Sequence, residues 1–86
     1  MPRVVIYTTT HCPFCVRAKA LLRSKNVHFE EINVAQDARL QDEARRLSGR
    51  RTVPQIFIDG TAVGGFEELK DLDEAGELDR LLGIGT

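Results

Sequence analysis

Tryptophan is absent from this chain of 86 residues, and cysteine is nearly so, with two. Two cysteines separated by only two residues exclude a secreted scaffold stapled by disulfides, which needs more of them. A structural bridge there would add little, because closing so short a loop hardly constrains the unfolded chain. Excess charge is lacking too. Twelve Lys and Arg stand against thirteen Asp and Glu, a formal net charge of −1, so no overall electrostatic argument favours nucleic acid or an anionic membrane. Near the start, Val4 to Tyr7 is an apolar run of only four residues. That is too short for a signal-peptide core or a membrane span, and the expectation is a cytoplasmic protein. There is no repeat, low-complexity stretch or linker. With 42% hydrophobic and 29% charged residues, the composition suits one folded domain over residues 1–86.

Val4-Val5-Ile6-Tyr7 has apolar residues on both faces, as a central strand requires. A polar loop, Thr8 to His11, follows. Pro13 suits the first turn of a helix, where its missing N–H costs nothing. Val16, Ala20 and Leu21, with Leu22 beside them, predict the buried face of that helix, and Asn26 its end. Val27 to Val34 reads as a second strand carrying His28. Asp37 can cap a helix over 38–48, with Leu40, Ala44 and Leu47 as its apolar stripe and Gly49 as its stop. Gln55 to Ile58, Asp59-Gly60 and Thr61 to Val63 form a hairpin pattern. Gly64-Gly65 breaks the second strand. A last helix is expected over 67–75, then a short turn around 78–82. A first β-α-β unit of this kind is parallel and right-handed. The hairpin is antiparallel. An α/β fold with a four-stranded mixed sheet flanked by helices, in the order β-α-β-α-β-β-α, follows.

The chemistry lies in Cys12-Pro13-Phe14-Cys15. If the helix starts at Pro13, Cys12 is its cap. Free N–H groups and the positive end of the helix dipole then point at the sulfur. Both favour thiolate and lower the pKa below the usual value of about 8.5. Cys15 lies one turn into the helix, more enclosed but near enough to attack a mixed disulfide formed at Cys12. Cys12 is thus the nucleophile and Cys15 the resolving thiol. Pro13 and Lys19 are expected to tune the pair, with Arg17 adding to the positive field. A zinc site would need four ligands. Only His11 and His28 could join the cysteines as further soft donors, and no metal is expected.

Several segments together resemble the dithiol glutaredoxins, most closely the short bacterial type. They are Ile6-Tyr7-Thr8 before Cys12-Pro13-Phe14-Cys15, the run Arg17-Ala18-Lys19-Ala20-Leu21-Leu22, Thr52-Val53-Pro54-Gln55-Ile56-Phe57-Ile58, and Gly64-Gly65-Phe66-Glu67-Glu68-Leu69. The similarity covers nearly the whole chain. It implies a thioredoxin-like fold and a glutathione-dependent oxidoreductase acting on protein disulfides and glutathione mixed disulfides. Glutathione is then a co-substrate. The implied partners are disulfide-containing or glutathionylated proteins, among which the family commonly serves ribonucleotide reductase. A monomer is expected.

The resemblance also implies a binding site. Val53-Pro54 would be a cis peptide facing the cysteines, with the Val53 backbone pairing with the cysteinyl part of glutathione as an added strand does. Thr52 flanks it. Arg51 and Gln41 would serve the glycine carboxylate, with Arg50 in reserve. Gly65, Phe66, Glu67 and Glu68 would meet the γ-glutamyl end, backbone N–H groups taking its carboxylate and an acid its ammonium. Three positions depart from the family pattern. Thr9 stands where many relatives have lysine. Glu67-Glu68 replaces Ser-Asp or Asp-Asp. Phe14 replaces tyrosine and loses a hydroxyl. Two other roles remain open. A redoxin recycled by thioredoxin reductase would carry a tryptophan-serine-glycine stretch where this chain has Val63-Gly64-Gly65. An iron–sulfur carrier would favour a smaller residue than Pro13. His11, His28, Glu30 and Glu31 read as surface groups, and Tyr7 and Phe57 as core.

Overall fold

A computed structural model describes residues 2–84. The order is β1 (Val4–Thr8), α1 (Pro13–Ser24), β2 (Glu30–Asn33), α2 (Ala38–Ser48), β3 (Gln55–Ile58), β4 (Thr61–Gly64), α3 (Phe66–Glu74) and α4 (Glu77–Leu82). The strands form one mixed sheet in the spatial order β2-β1-β3-β4. β1 pairs parallel with β2 and antiparallel with β3, and β3 pairs antiparallel with β4. This is the expected four-stranded mixed sheet. Among the described residues, no helix is long and apolar enough to cross a membrane.

Alternation along the strands sends side chains to opposite faces. Val4 and Ile6 of β1, with Ile56 and Ile58 of β3, pack against Ala18 and Leu22 of α1, Leu69 of α3, and Leu78 and Leu82 of α4. Tyr7 and Phe57 point the other way, with Val34 and with Ala44 of α2. Their rings meet edge to face, 5.6 Å apart. Burial raises the Tyr7 hydroxyl above its ordinary pKa, and Glu43 and Glu30 add to the shift. At the β3–β4 turn, Asp59 (φ 51°) and Gly60 (φ 81°) both adopt the positive φ that a tight two-residue hairpin turn needs.

Several local expectations are corrected. The buried residues of α1 are Cys15, Ala18 and Leu22. Ala20 is exposed and Leu21 half-buried, and Val16 is 61% exposed. Cys15 faces inward, and residues three and seven positions on share its side. β2 spans only Glu30–Asn33, because its pairing partners are confined to Val5–Thr8 of β1. Val27 to Phe29 lie outside it, and His28 is an exposed residue before the strand. Leu47 is not part of the α2 stripe and is 51% exposed. α3 begins one residue early, at Phe66, and the region expected as a turn is the helix α4. α2 matches its expected range, with the Asp37 side chain accepting from the N–H groups of Arg39 and Leu40.

Candidate active site

Cys12 is the cap of α1, with extended φ and ψ of −113° and 102°, and Pro13 opens the helix. The Cys15 N–H donates to the Cys12 sulfur at 3.0 Å. A free helix N–H thus aims at the atom that carries negative charge in a thiolate. Cys12 and Cys15 are joined as a disulfide, their Cα atoms 5.1 Å apart. Cys12 is half-buried, whereas Cys15 is 1% exposed. Cys12 is therefore the more accessible residue of the pair.

Lys19, expected to tune the pair, lines the cleft at Cys12 and Cys15 and is itself ion-paired. Its ammonium lies 2.9 Å from the Glu31 carboxylate, which also accepts from the Thr8 hydroxyl at 2.8 Å. The Lys19 contact, with help from Thr8, holds the Glu31 carboxyl below its ordinary pKa. Lys19 is therefore a paired charge. Arg17 instead lies over the Phe14 ring, 5.4 Å from its centre.

Opposite Cys12 runs the segment before β3. The Val53-Pro54 bond is cis. The Val53 carbonyl oxygen lies 3.9 Å from the Cys12 sulfur. Gln55, almost fully buried, braces this segment. Its amide donates to the Thr52 carbonyl at 2.8 Å and to the Thr52 hydroxyl at 3.1 Å. Its position in the sequence marks Gln55 only as a strand residue. A polar side chain in an otherwise apolar buried strand was the signal.

Two shallow pockets flank that segment. One, of about 160 Å³, includes Thr9, Gln41, Arg50, Arg51, Thr52 and Val53. The other, of about 170 Å³, includes Phe14, Pro54, Gly65, Phe66, Glu67 and Glu68, again with Arg50, Thr52 and Val53. Each is smaller than the roughly 300 Å³ at which small-molecule sites begin. Their three shared residues make them two arms of one groove. The residues singled out from sequence for two ends of a ligand thus divide between the arms. Arg51 is exposed and has no ion-pair partner among the described residues. Gln41 is engaged, its amide donating to the Val34 carbonyl at 2.8 Å.

The start of α3 closes one arm. Its cap is Gly65, which has no side chain to accept from the first-turn N–H groups. Those of Phe66 and Glu67 have no side-chain acceptor among the described residues. Glu68 reaches back instead and accepts from the Gly65 N–H at 2.7 Å. It also meets Arg50 at 3.1 Å. The Gly65 N–H, then Arg50, hold the Glu68 carboxyl below its ordinary pKa. Of the acidic pair, Glu67 alone stays unpaired among the described residues. The longer arm of glutamate makes this reach possible, which residue type alone did not reveal.

The glutaredoxin family model matches residues 4–63. The chain is 52% identical over 82 residues to a glutaredoxin of Pseudomonas aeruginosa, covering 95% of this chain and 98% of that one. The solution structure of the glutaredoxin from Brucella melitensis matches with a TM-score of 0.86 and 46% identity, covering 100% of this chain and 94% of that one. The crystal structure of a buckwheat glutaredoxin–glutathione complex matches with a TM-score of 0.88 and 26% identity, over 98% of this chain and 83% of that one. A thiol pair at the start of the first helix, on this sheet and with these relatives, has one reading: the chain belongs to the glutaredoxin family and is a dithiol thiol–disulfide oxidoreductase of thioredoxin-like fold.

Proposed function

We propose that the chain reduces protein disulfides and glutathione mixed disulfides at the expense of glutathione. The observation that carries this reading is the Cys15 N–H donating to the sulfur of Cys12 at the head of α1, beside a groove with a cationic and an anionic arm. The solved complex of the buckwheat relative with glutathione supports the choice of thiol.

Glutathione is a tripeptide with a carboxylate at one end and a carboxylate and an ammonium at the other. Its glycine carboxylate goes to Arg51, and to Gln41 once that amide turns from the Val34 carbonyl. Thr52 and Pro54 shape the groove, and the Val53 backbone pairs with the cysteinyl residue. The γ-glutamyl carboxylate takes the open N–H groups of Phe66 and Glu67 beside Gly65. The Glu67 carboxylate meets the ammonium.

In the reaction, the Cys12 thiolate attacks the glutathione sulfur of a mixed disulfide. The S–S bond breaks and the protein thiolate leaves, taking a proton. The enzyme now carries a Cys12–glutathione disulfide. A second glutathione thiolate attacks that glutathionyl sulfur, releasing glutathione disulfide and restoring Cys12. With a protein disulfide, Cys15 attacks the Cys12 sulfur instead, releasing the reduced protein and leaving the Cys12–Cys15 disulfide. Two glutathiones then reduce that bond. The mixed-disulfide cycle consumes one glutathione thiol and frees one protein thiol; the protein-disulfide cycle moves two electrons from two glutathione thiols to the substrate disulfide. A reducing cytoplasm suits a chain whose two cysteines both belong to the reactive pair.

The test is a pair of serine variants. Cys12→Ser abolishes reduction of glutathionylated substrate. Cys15→Ser keeps much of it and loses reduction of protein disulfides. If Cys15→Ser is as inactive as Cys12→Ser on glutathionylated substrate, the assignment of roles fails.

A further inference from the structure

The net charge of −1 conceals a separation of charge between helices. α1 carries three cations, Arg17, Lys19 and Arg23, and no carboxylate. α3 and α4 together carry seven carboxylates against Lys70 and Arg80. Lys19 is neutralised by Glu31. Arg17 is exposed and, among the described residues, pairs with no carboxylate.

Beside Arg17 lies an apolar surface. Phe14 is 48% exposed, although it belongs to the first turn of the helix that carries the nucleophile; Val16 lies on another side of that turn, in the cleft with Cys12, Lys19 and Glu31. Phe14 stacks on Phe66 with ring centres 6.1 Å apart, so the aromatic lip spans the start of α1 and the start of α3. The Arg17 guanidinium stands over the Phe14 ring. Aromatic residues with an adjoining arginine are the composition that binding hot spots favour. The charges on the two sides of the lip are opposite. Arg17 stands on the α1 side, Glu67 on the α3 side. His11, at the loop before Cys12, is exposed as well.

We infer that Phe14 and Arg17, backed by Phe66, form a docking surface for protein substrates, and that it selects disulfide-bearing segments with carboxylate side chains close to the reactive cysteine. Apolar contact with Phe14 places the segment beside Cys12. A carboxylate of the segment takes the guanidinium of Arg17. The exchange itself is balanced. The Cys12 thiolate attacks one sulfur of the substrate disulfide, whose other sulfur leaves and is protonated. Cys15 gives up its proton and attacks the Cys12 sulfur, releasing the second substrate thiol. Two electrons pass from the pair to the substrate, with one proton from Cys15 and one from water. The inference rests on this dithiol exchange, not on the use of glutathione, so it can be tested without glutathione.

The experiment is single-turnover reduction of short disulfide-closed peptides by the pre-reduced protein, with excess reductant removed. One peptide has Asp residues flanking its cysteines and another has Lys. The Asp peptide reacts roughly fivefold faster at low salt, the scale of one exposed ion pair. The gap narrows at high salt, where screening shortens the reach of charge. In Arg17→Glu the ratio inverts, and in Arg17→Gln it falls towards one. The ratio is the readout, so a general loss of thiol reactivity does not move it. Equal rates for the two peptides overturn the inference, as does a preference that Arg17→Glu leaves intact. Loss of glutathione-coupled turnover with the peptide ratio unchanged would count against the glutathione reading alone.

Discussion

Two helix starts border the same groove, and they are finished differently. α1 opens on Cys12, whose own sulfur takes the free N–H of Cys15. α3 opens on Gly65, which brings no side chain, and Glu68 reaches back to the Gly65 N–H while the next N–H groups stay open. Both ends carry the positive pole of a helix dipole. At α1 that pole is directed to a negative sulfur within the protein. At α3 it is left for an anion brought from outside, the carboxylate proposed for it. Leu69 of α3 and Ala18 and Leu22 of α1 share one apolar cluster, which fixes the two starts relative to each other. One device thus serves as reagent in one place and as receptor in the other.

Substitutions at the two starts separate these roles. The largest effect belongs to Cys12→Ser. Serine is itself a good helix cap, so thiol–disulfide exchange is lost while the thermal midpoint scarcely moves. A collapse of the midpoint would mean that the sulfur matters for folding as well as for reaction. Next comes Gly64→Ala. Gly64 has φ +117°, and a Cβ there would meet the Glu68 carboxylate oxygen at 2.8 Å. The strained backbone and the displaced cap together cost about 1–3 kcal/mol, read by denaturant unfolding. Gly49→Ala is the control. Its φ is +74° with open space around it, so it costs the backbone penalty without the clash. Equal losses at the two positions would show that Glu68 yields freely.

A smaller effect is expected at Glu68. Glu68→Gln weakens the bond to Gly65 N–H and the contact with Arg50, for about 0.5–1 kcal/mol near neutral pH. The folded state lowers the Glu68 pKa below its ordinary value of 4.5. Its contribution is therefore full above the unfolded value and is lost as pH falls through the folded one. The wild type and the variant differ in stability at pH 7 and converge in acid. A constant difference down to low pH would place the effect in packing. Smallest of all is Lys19→Met. It removes a partly exposed ion pair with Glu31, worth under about 1 kcal/mol, and it changes the reactivity of Cys12 little. A large fall in thiolate reactivity would show Lys19 to be a tuning charge.

Much of this was legible in the sequence wherever one residue type decides the local geometry. Pro13 marks the start of α1 and so makes Cys12 a cap. Asp37 and Gly49 bracket α2. Asp59-Gly60 makes the hairpin turn. The sequence was less informative where tertiary contacts decide. The inward face of α1 follows from Cys15 turning to the core. β2 is as short as its pairing with β1 allows. Lys19 and Glu31 lie on different elements, so their pairing needs the β-α-β unit to be built. The same holds for Glu68, whose partners are Gly65, close in sequence, and Arg50, eighteen residues away.

The central claim is that position at the head of α1 makes Cys12 the reactive thiol. The most direct test is the pH dependence of alkylation of the reduced protein, with each cysteine followed by mass spectrometry. The account predicts that Cys12 reacts first and titrates below the ordinary thiol value of about 8.5, while Cys15 stays protected. Preferential alkylation of Cys15, or a Cys12 that titrates at or above that value, would contradict it.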